Sequence, residues 1–284
     1  MTKIKLSISV VTGRSEGNLR KCLTTLTEAL PDNVDVKVIA TDNCSEWDVD
    51  GLLKSFFPDA EIIKNESPKG FGDNHNQALI GRKDDYALII NDDIEIDPDA
   101  IRNLLELAAK TEKGAAFGPI LFPKSWDADY IAAGGKIGER IPKPVLNGIS
   151  MLMRFTLGDG FIRKFLGARN KGEDPQDQQK AYISGACCMV RREYIDKFGL
   201  YDPEFYMYFD DIDLGTRIRL NGYECWQCAG AKVMHLEGGS FTKKTWNWIA
   251  DSNLRYAKKY HGLLVTCIAA SLIYILKFML KFKR

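Results

Sequence analysis

Two phosphate-binding signatures are missing from these 284 residues. No G-x-G-x-x-G follows the first apolar run and no G-x-x-x-x-G-K-[ST] occurs anywhere, which disfavours a dinucleotide oxidoreductase and a P-loop nucleotidase. An excess of one charge sign is also lacking: 39 Lys and Arg against 38 Asp and Glu leave a net +1, and no global basic field exists for nonspecific nucleic-acid binding. Seven cysteines form an odd count in apolar or turn contexts without a secretory leader, so a reducing, cytosolic setting is expected. Cys225-x-x-Cys228 has no second pair at zinc-site spacing and reads as two buried thiols in a strand. Internal repeats and low-complexity tracts are absent, and 45% hydrophobic residues with 24 Gly and 10 Pro exclude disorder and collagen-like chains.

What is present is a regular alternation. Strand-like runs at Lys5–Val11, Val34–Thr41, Ala60–Lys64, Tyr86–Asn91 and Ala115–Ile120 are separated by helical patterns. In the first of these Leu19, Cys22, Leu23, Leu26 and Leu30 recur at helical spacing before Pro31. A further helix is expected from Pro98, capped by Asp97. This order predicts an α/β fold with a mostly parallel central sheet and helices on both faces. Ligands in such sheets bind beyond the carboxyl ends of the strands, so the segments after Val11, Thr41, Lys64 and Asn91 are where chemistry is sought. The alternation lapses between Lys124 and Lys180, which reads as an insertion or lid containing an apolar segment, Ile149–Leu166.

Two acidic clusters stand at such places. Asp92, Asp93 and Glu95 follow the apolar strand YALIIN, where three carboxylates in four residues repel one another unless a cation sits among them. Magnesium or manganese, with oxygen ligands and room for substrate phosphates, answers that need. Asp210, Asp211 and Asp213 follow the bulky run FYMYF and open a helix. Asp213 with Arg217 makes an i,i+4 ion pair, whereas partial desolvation of Asp210 and Asp211 would suit a general base. His235 precedes Gly238-Gly239 in a loop able to close over a ligand, while His75 lies in a polar helix start.

Taken in order, these blocks resemble the family 2 glycosyltransferases of the GT-A fold, in particular the rhamnosyltransferase-like branch. The matching stretches are Val10-Val11-Thr12-Gly13-Arg14, Thr41-Asp42-Asn43-Cys44-Ser45, Asn65 through Gly70-Phe71 with Asn74 and Asn76, and Ile89 through Glu95. They continue with Ser184-Gly185-Ala186 through Arg192, Phe205 through Leu214 with Arg217, and His235 with Gly238, Gly239 and Ser240. Two positions depart from the pattern: Asp210 replaces the usual Glu, and Gly13 replaces a common aromatic residue of the first loop.

The resemblance implies a role for each matched residue. Thr12, Arg14, Asp42, Asn43 and Asp92 would bind the nucleotide, and Gly70, Phe71, Asn74 and Asn76 would shape the donor site. Asp93, Glu95 and His235 would hold a divalent cation, magnesium or manganese. Ser184 and Gly185 would lie on the acceptor side, and Asp211 would deprotonate the acceptor with Asp210 beside it. The implied activity is inverting transfer from a UDP-, dTDP- or GDP-sugar to a hydroxyl of a glycan or lipid-linked glycan, in O-antigen or other cell-surface polysaccharide synthesis. A sugar nucleotidyltransferase and an inactive, membrane-tethered nucleotide- or carbohydrate-binding protein are the competing readings. No nucleic-acid partner is expected.

Residues 1–241 are expected to form the catalytic domain, with 124–180 as its variable insertion, and 242–284 a helical tail. Residues 258–284 carry six Lys and Arg and no acid, so the remaining chain has 33 basic against 38 acidic residues. An apolar run from Leu263 to Leu280 between those basic flanks, at the short end of what spans a bilayer, marks the tail as membrane-seeking. The expected location is the cytoplasmic face of the inner membrane, peripheral or tail-anchored.

Overall fold

The computed structural model describes residues 3–13, 15–126, 134–135, 143–157, 175–236 and 242–281. Arg14, Gly238, Gly239 and Ser240, and residues 158–166 of the expected apolar segment, lie outside them.

The first half builds as the alternation predicts. β1 (Ile4–Thr12), β2 (Val34–Asp42), β3 (Glu61–Lys64) and β4 (Tyr86–Asn91) pair in parallel in the order β3-β2-β1-β4. Leu6, Ile8 and Val10 alternate onto one face of β1. Against that face α1 (Glu16–Ala29) presents Leu19, Cys22, Leu23 and Leu26, one helical stripe, all fully buried. Ser15 starts the helix by accepting from the Asn18 N–H at 3.2 Å. α2 (Val49–Phe56) extends this layer, and α3 (Phe71–Leu79) covers the other face through Ala78 and Leu79.

Beyond β4 the sheet becomes mixed. β8 (Cys187–Arg191) runs antiparallel to β4, followed by β6 (Gly114–Pro123), β9 (Glu224–His235) and β5 (Ile94–Ile96), with the short β7 (Gln178–Lys180) also on β9. The reversal has a positional consequence: the start of β8 lies beside the end of β4, and Asn91 N–H donates to the Ala186 carbonyl at 3.0 Å. Cys225 and Cys228 are buried thiols in β9, as expected. One expectation shifts. α4 runs Ala100–Lys110, two residues later than its Pro98 start, because Asp97 folds into a turn, its side chain accepting from Asp99 N–H and its carbonyl from Ala100 N–H.

α5 (Lys143–Leu157) belongs to the insertion but packs away from the sheet. Met151 shares a core with Trp246 and Ala250 of α8 (Lys243–Tyr260) and with Ile273 and Leu276 of α9 (Leu263–Leu280). Part of the insertion and the tail therefore form one small helical layer. Among the described residues no helix is long and apolar enough to cross a membrane. The remaining helices are α6 (Arg192–Phe198) and α7 (Asp210–Leu220).

Candidate active site

The loops at the carboxyl ends of β1 and β2 interlock. Asn43 N–H donates to the Thr12 carbonyl at 2.7 Å, and a Cβ at Gly13 would stand 2.9 Å from the Asn43 carbonyl oxygen. The departure at Gly13 thus has a steric reason, since a larger residue would push the two loops apart. Thr12 Oγ1 donates to Asp92 Oδ2 at 2.7 Å and joins the first loop to the end of β4. Asp42 accepts from Ser45 N–H at 2.8 Å, and Cys44 between them takes a φ of 69°, left-handed and uncommon for a side chain of this kind.

A network of amides forms the adjoining wall. Asn65 Nδ2 donates to Asn43 Oδ1 at 2.9 Å and to Asn74 Oδ1 at 2.7 Å, while Asn43 Oδ1 also accepts from Lys69 N–H at 2.9 Å. Asn74 is buried and fixes the loop before α3. Asn76, expected to shape the donor site, braces the chain leading to α7: its side chain accepts from Tyr201 N–H at 3.0 Å and donates to the Tyr201 carbonyl at 2.8 Å, a bidentate clamp. His75 is fully buried rather than part of a polar surface. Its Nδ1 lies 2.8 Å from Ser9 Oγ, and burial lowers its pKa to about 3, so it is neutral.

The second acidic block reaches the same edge through two glycines. Phe71 N–H donates to the Tyr206 carbonyl at 2.9 Å, and a Cβ at Gly70 would meet that oxygen at 2.5 Å. Gly185 lies against Phe71, whose ring would stand 2.8 Å from a Cβ there, and Ser184 Oγ accepts from Ala186 N–H at 3.3 Å. Tyr208 and Phe209 both take left-handed φ values, 67° and 65°, immediately before Asp210. Aromatic residues pay steric energy for that conformation, so the turn that aims the carboxylates is held by its surroundings.

Asp210 and Asp211 are unequal. Asp210 is buried, and desolvation, then the neighbouring Asp211 charge, raise its pKa to about 8. Asp211 is half-buried, accepts from Ile212 N–H at 2.8 Å, and is the more accessible of the two. Asp213 is fully buried and structural: Oδ2 accepts from Arg217 at 2.8 Å, and Oδ1 from Lys259 at 2.8 Å and Tyr260 at 2.6 Å. Sequence reasoning found the Arg217 pair and missed Lys259 and Tyr260, which carry no motif.

At the end of β4, Asp93 Oδ1 lies 3.2 Å from His235 Nε2, and Asn91 Nδ2 is 3.4 Å from the same nitrogen. Asp93 Oδ1 is buried without an aligned hydrogen-bond donor among the described residues. Burial works to raise the Asp93 pKa, but His235 and Asn91 outweigh it and hold the group below the ordinary carboxylate value. Glu95 is opposite Met234, one register step from the Ile94–His235 pair, and so is turned from that pair's face. No group of three or more His, Cys, Asp or Glu is gathered for a metal among the described residues. Even so, an anionic oxygen lacking a donor, beside an imidazole, fits a hard divalent cation that takes its remaining ligands from water and substrate.

Comparisons with known proteins agree with this geometry. A family model described as glycosyl transferase family 2 matches residues 7–199. The N-acetylglucosaminyl-diphospho-decaprenol L-rhamnosyltransferase of Mycobacterium tuberculosis is 24% identical over 213 residues, 70% of this chain and 66% of that one. The O-antigen biosynthesis protein RfbC of Myxococcus xanthus is 23% identical over 206 residues, 72% of this chain but only 15% of that protein. The chain thus spans just under two thirds of the mycobacterial relative. Among solved structures, GalNAc-T7 with UDP, GalNAc and Mn2+ superposes with a TM-score of 0.62 at 12% identity, covering 90% of this chain and 50% of that one. The mannosyltransferase PcManGT of Pyrobaculum calidifontis with GDP-Man and Mn2+ gives 0.58 at 14% identity, covering 95% and 70%. These structures share the fold, that of the GT-A glycosyltransferases.

Proposed function

The chain belongs to glycosyl transferase family 2, and from that premise we propose that it moves a sugar from a nucleoside diphosphate donor to a hydroxyl of a lipid-linked glycan, with inversion, in cell-surface polysaccharide synthesis. One observation supports the reading: the Phe71–Tyr206 backbone hydrogen bond joins the start of α3 to the turn before Asp210 and Asp211, and the Asn91–Ala186 bond sets the end of β4, which leads into Asp92 and Asp93, beside the start of β8. A site that must hold a diphosphate and receive a proton needs both acidic pairs.

Each residue has a part. Thr12, Asp42, Asn43 and Asp92 line the nucleotide side, where Asp42 and Asn43 shape the loop and the Thr12–Asp92 bond fixes its position. Asp93 and His235 would hold the divalent cation, which when bound stabilises the charge developing on the leaving diphosphate. Gly70, Phe71 and Asn74 set the donor wall, and Ser184 and Gly185 flank the acceptor side. Asp211 takes the proton of the attacking hydroxyl; Asp210, with its raised pKa, keeps its own proton and spares Asp211 a charged neighbour. One base and one displacement invert the anomeric centre.

The lipid-linked acceptor is supported by the name of the mycobacterial relative, and a position at the cytoplasmic membrane face is proposed to bring the site to such an acceptor. Purified protein screened against UDP-, dTDP- and GDP-sugars tests the reading, with Asp211→Asn expected to bind nucleotide and lose transfer. Turnover retained in that variant removes Asp211 from the mechanism.

A further inference from the structure

The solvent face of α9 is apolar where a surface helix is normally charged. Leu264, Ile268, Ser271, Ile275 and Phe278 follow one another at helical spacing, with Leu263 and Tyr274 beside them. Leu264 and Tyr274 are each 74% exposed and Phe278 53%. The opposite face, Ala269, Ile273 and Leu276, is buried against α5 and α8. Lys277, the sole charged residue within the helix, turns from the stripe to Asp251 of α8 at 2.6 Å. An exposed apolar strip of this kind marks a binding face.

We infer that α9 lies flat on an anionic bilayer surface, its Leu264–Phe278 face sunk among the headgroups, and that α8 transmits this docking to the catalytic segment. Exposed Lys258 and Lys281 stand before and after the strip, and no acid occurs from residue 258 to the end of the sequence. That charge matches anionic lipid. It opposes the other self-consistent occupant, a second copy, because antiparallel pairing of two strips would set one basic end against the other.

α8 makes the connection rigid. Ser252 Oγ donates to the Met207 carbonyl at 2.9 Å, Tyr256 OH lies 2.7 Å from Thr216 Oγ1, and Lys259 and Tyr260 reach Asp213. The Trp248 ring lies tilted against that of Tyr206, centroids 5.3 Å apart, and Tyr206 is the residue whose carbonyl braces Phe71. The same helix that buries α9 therefore clamps the chain on both sides of Asp210 and Asp211, and docking fixes their height above the membrane. The purpose of that arrangement rests on the lipid-linked acceptor reading; its test does not.

The test is co-sedimentation of the full chain, without substrate, with phosphatidylcholine vesicles and with vesicles enriched in phosphatidylglycerol. Wild type is expected to sediment with the anionic vesicles, less so as salt rises, and the double variant Ile268→Glu, Ile275→Glu to bind about tenfold more weakly or worse. Circular dichroism and nucleotide binding of the variant control for folding. Wild type left in the supernatant, or a variant that binds equally, overturns the inference. So does a wild-type dimer that ignores vesicles and becomes monomeric in the variant, which would make the strip a protein interface. Donor hydrolysis in the same preparations reports on the glycosyl transfer reading separately: vesicle binding without hydrolysis would sink that reading and leave the docking face standing.

Discussion

Gly70 stands against Tyr206 with no space for a side chain, the would-be Cβ lying 2.5 Å from a carbonyl oxygen that is itself hydrogen-bonded to Phe71. The loop before α3 and the turn before α7 touch backbone to backbone at this point. Gly70→Ala should therefore separate them. Overpacking of this kind costs about 1–3 kcal/mol, and transfer should fall by more than the melting temperature alone explains. Thermal melts beside initial rates check this; a stable variant with full activity would show that the two loops work independently.

Asp211 and Asp213 sit two residues apart with opposite consequences. Removing Asp213 leaves Arg217, Lys259 and Tyr260 facing a buried gap, and Asp213→Ala should lose about 3–5 kcal/mol of stability, the cost of stranding buried charge. Asp211→Asn should unfold at the wild-type denaturant concentration and fail only in transfer. Chemical denaturation of the two variants in parallel distinguishes them.

The proton on Asp210 makes stability depend on pH in a defined direction. Its folded pKa of about 8 lies above the ordinary carboxylate value of about 4. From about pH 4 upward the unfolded chain releases a proton that the folded protein keeps, so this group's contribution falls as pH rises and levels off past the folded value. Wild type should lose stability relative to Asp210→Asn across that window and track it below about pH 4. Urea midpoints at several pH values are the measurement; parallel curves would mean that Asp210 is not held neutral.

Asp93 Oδ1, buried and without an aligned donor, should show its need for a cation in binding. Nucleoside diphosphate affinity measured by calorimetry should rise with manganese in wild type. The gain should shrink by about tenfold or more in Asp93→Asn and by less in His235→Ala. Affinity indifferent to manganese in wild type would remove Asp93 from that role.

Much of the parallel half was legible because its signals are local: β4 follows the run YALIIN from end to end, and α1 follows its Leu and Cys stripe. Strand direction beyond β4 was not, since nothing within Cys187–Arg191 marks it as antiparallel. Asn76 reads as shaping the donor site and His75 as part of a polar helix start, and nothing local marks their partners Tyr201 and Ser9, 125 and 66 positions away. Composition cannot announce such pairings. Lys259 and Tyr260 were invisible for the same reason, being ordinary residues at the end of an ordinary helix until Asp213 is placed beside them. In contrast, Gly70 carried a usable signal, because a glycine directly before an aromatic, Phe71, in a loop marks a close approach.

The left-handed pair Tyr208 and Phe209 gives the turn before α7 a shape that its own residues disfavour. Such a turn cannot travel alone. An engineer who exchanged residues 205–213 between two enzymes to alter acceptor choice would move the letters and lose the conformation, because Ser252, Tyr256 and Tyr260 would stay behind. The smallest transplantable unit is the turn with α7 and α8 together, so the turn and the helix against which α9 packs are inherited as a single block.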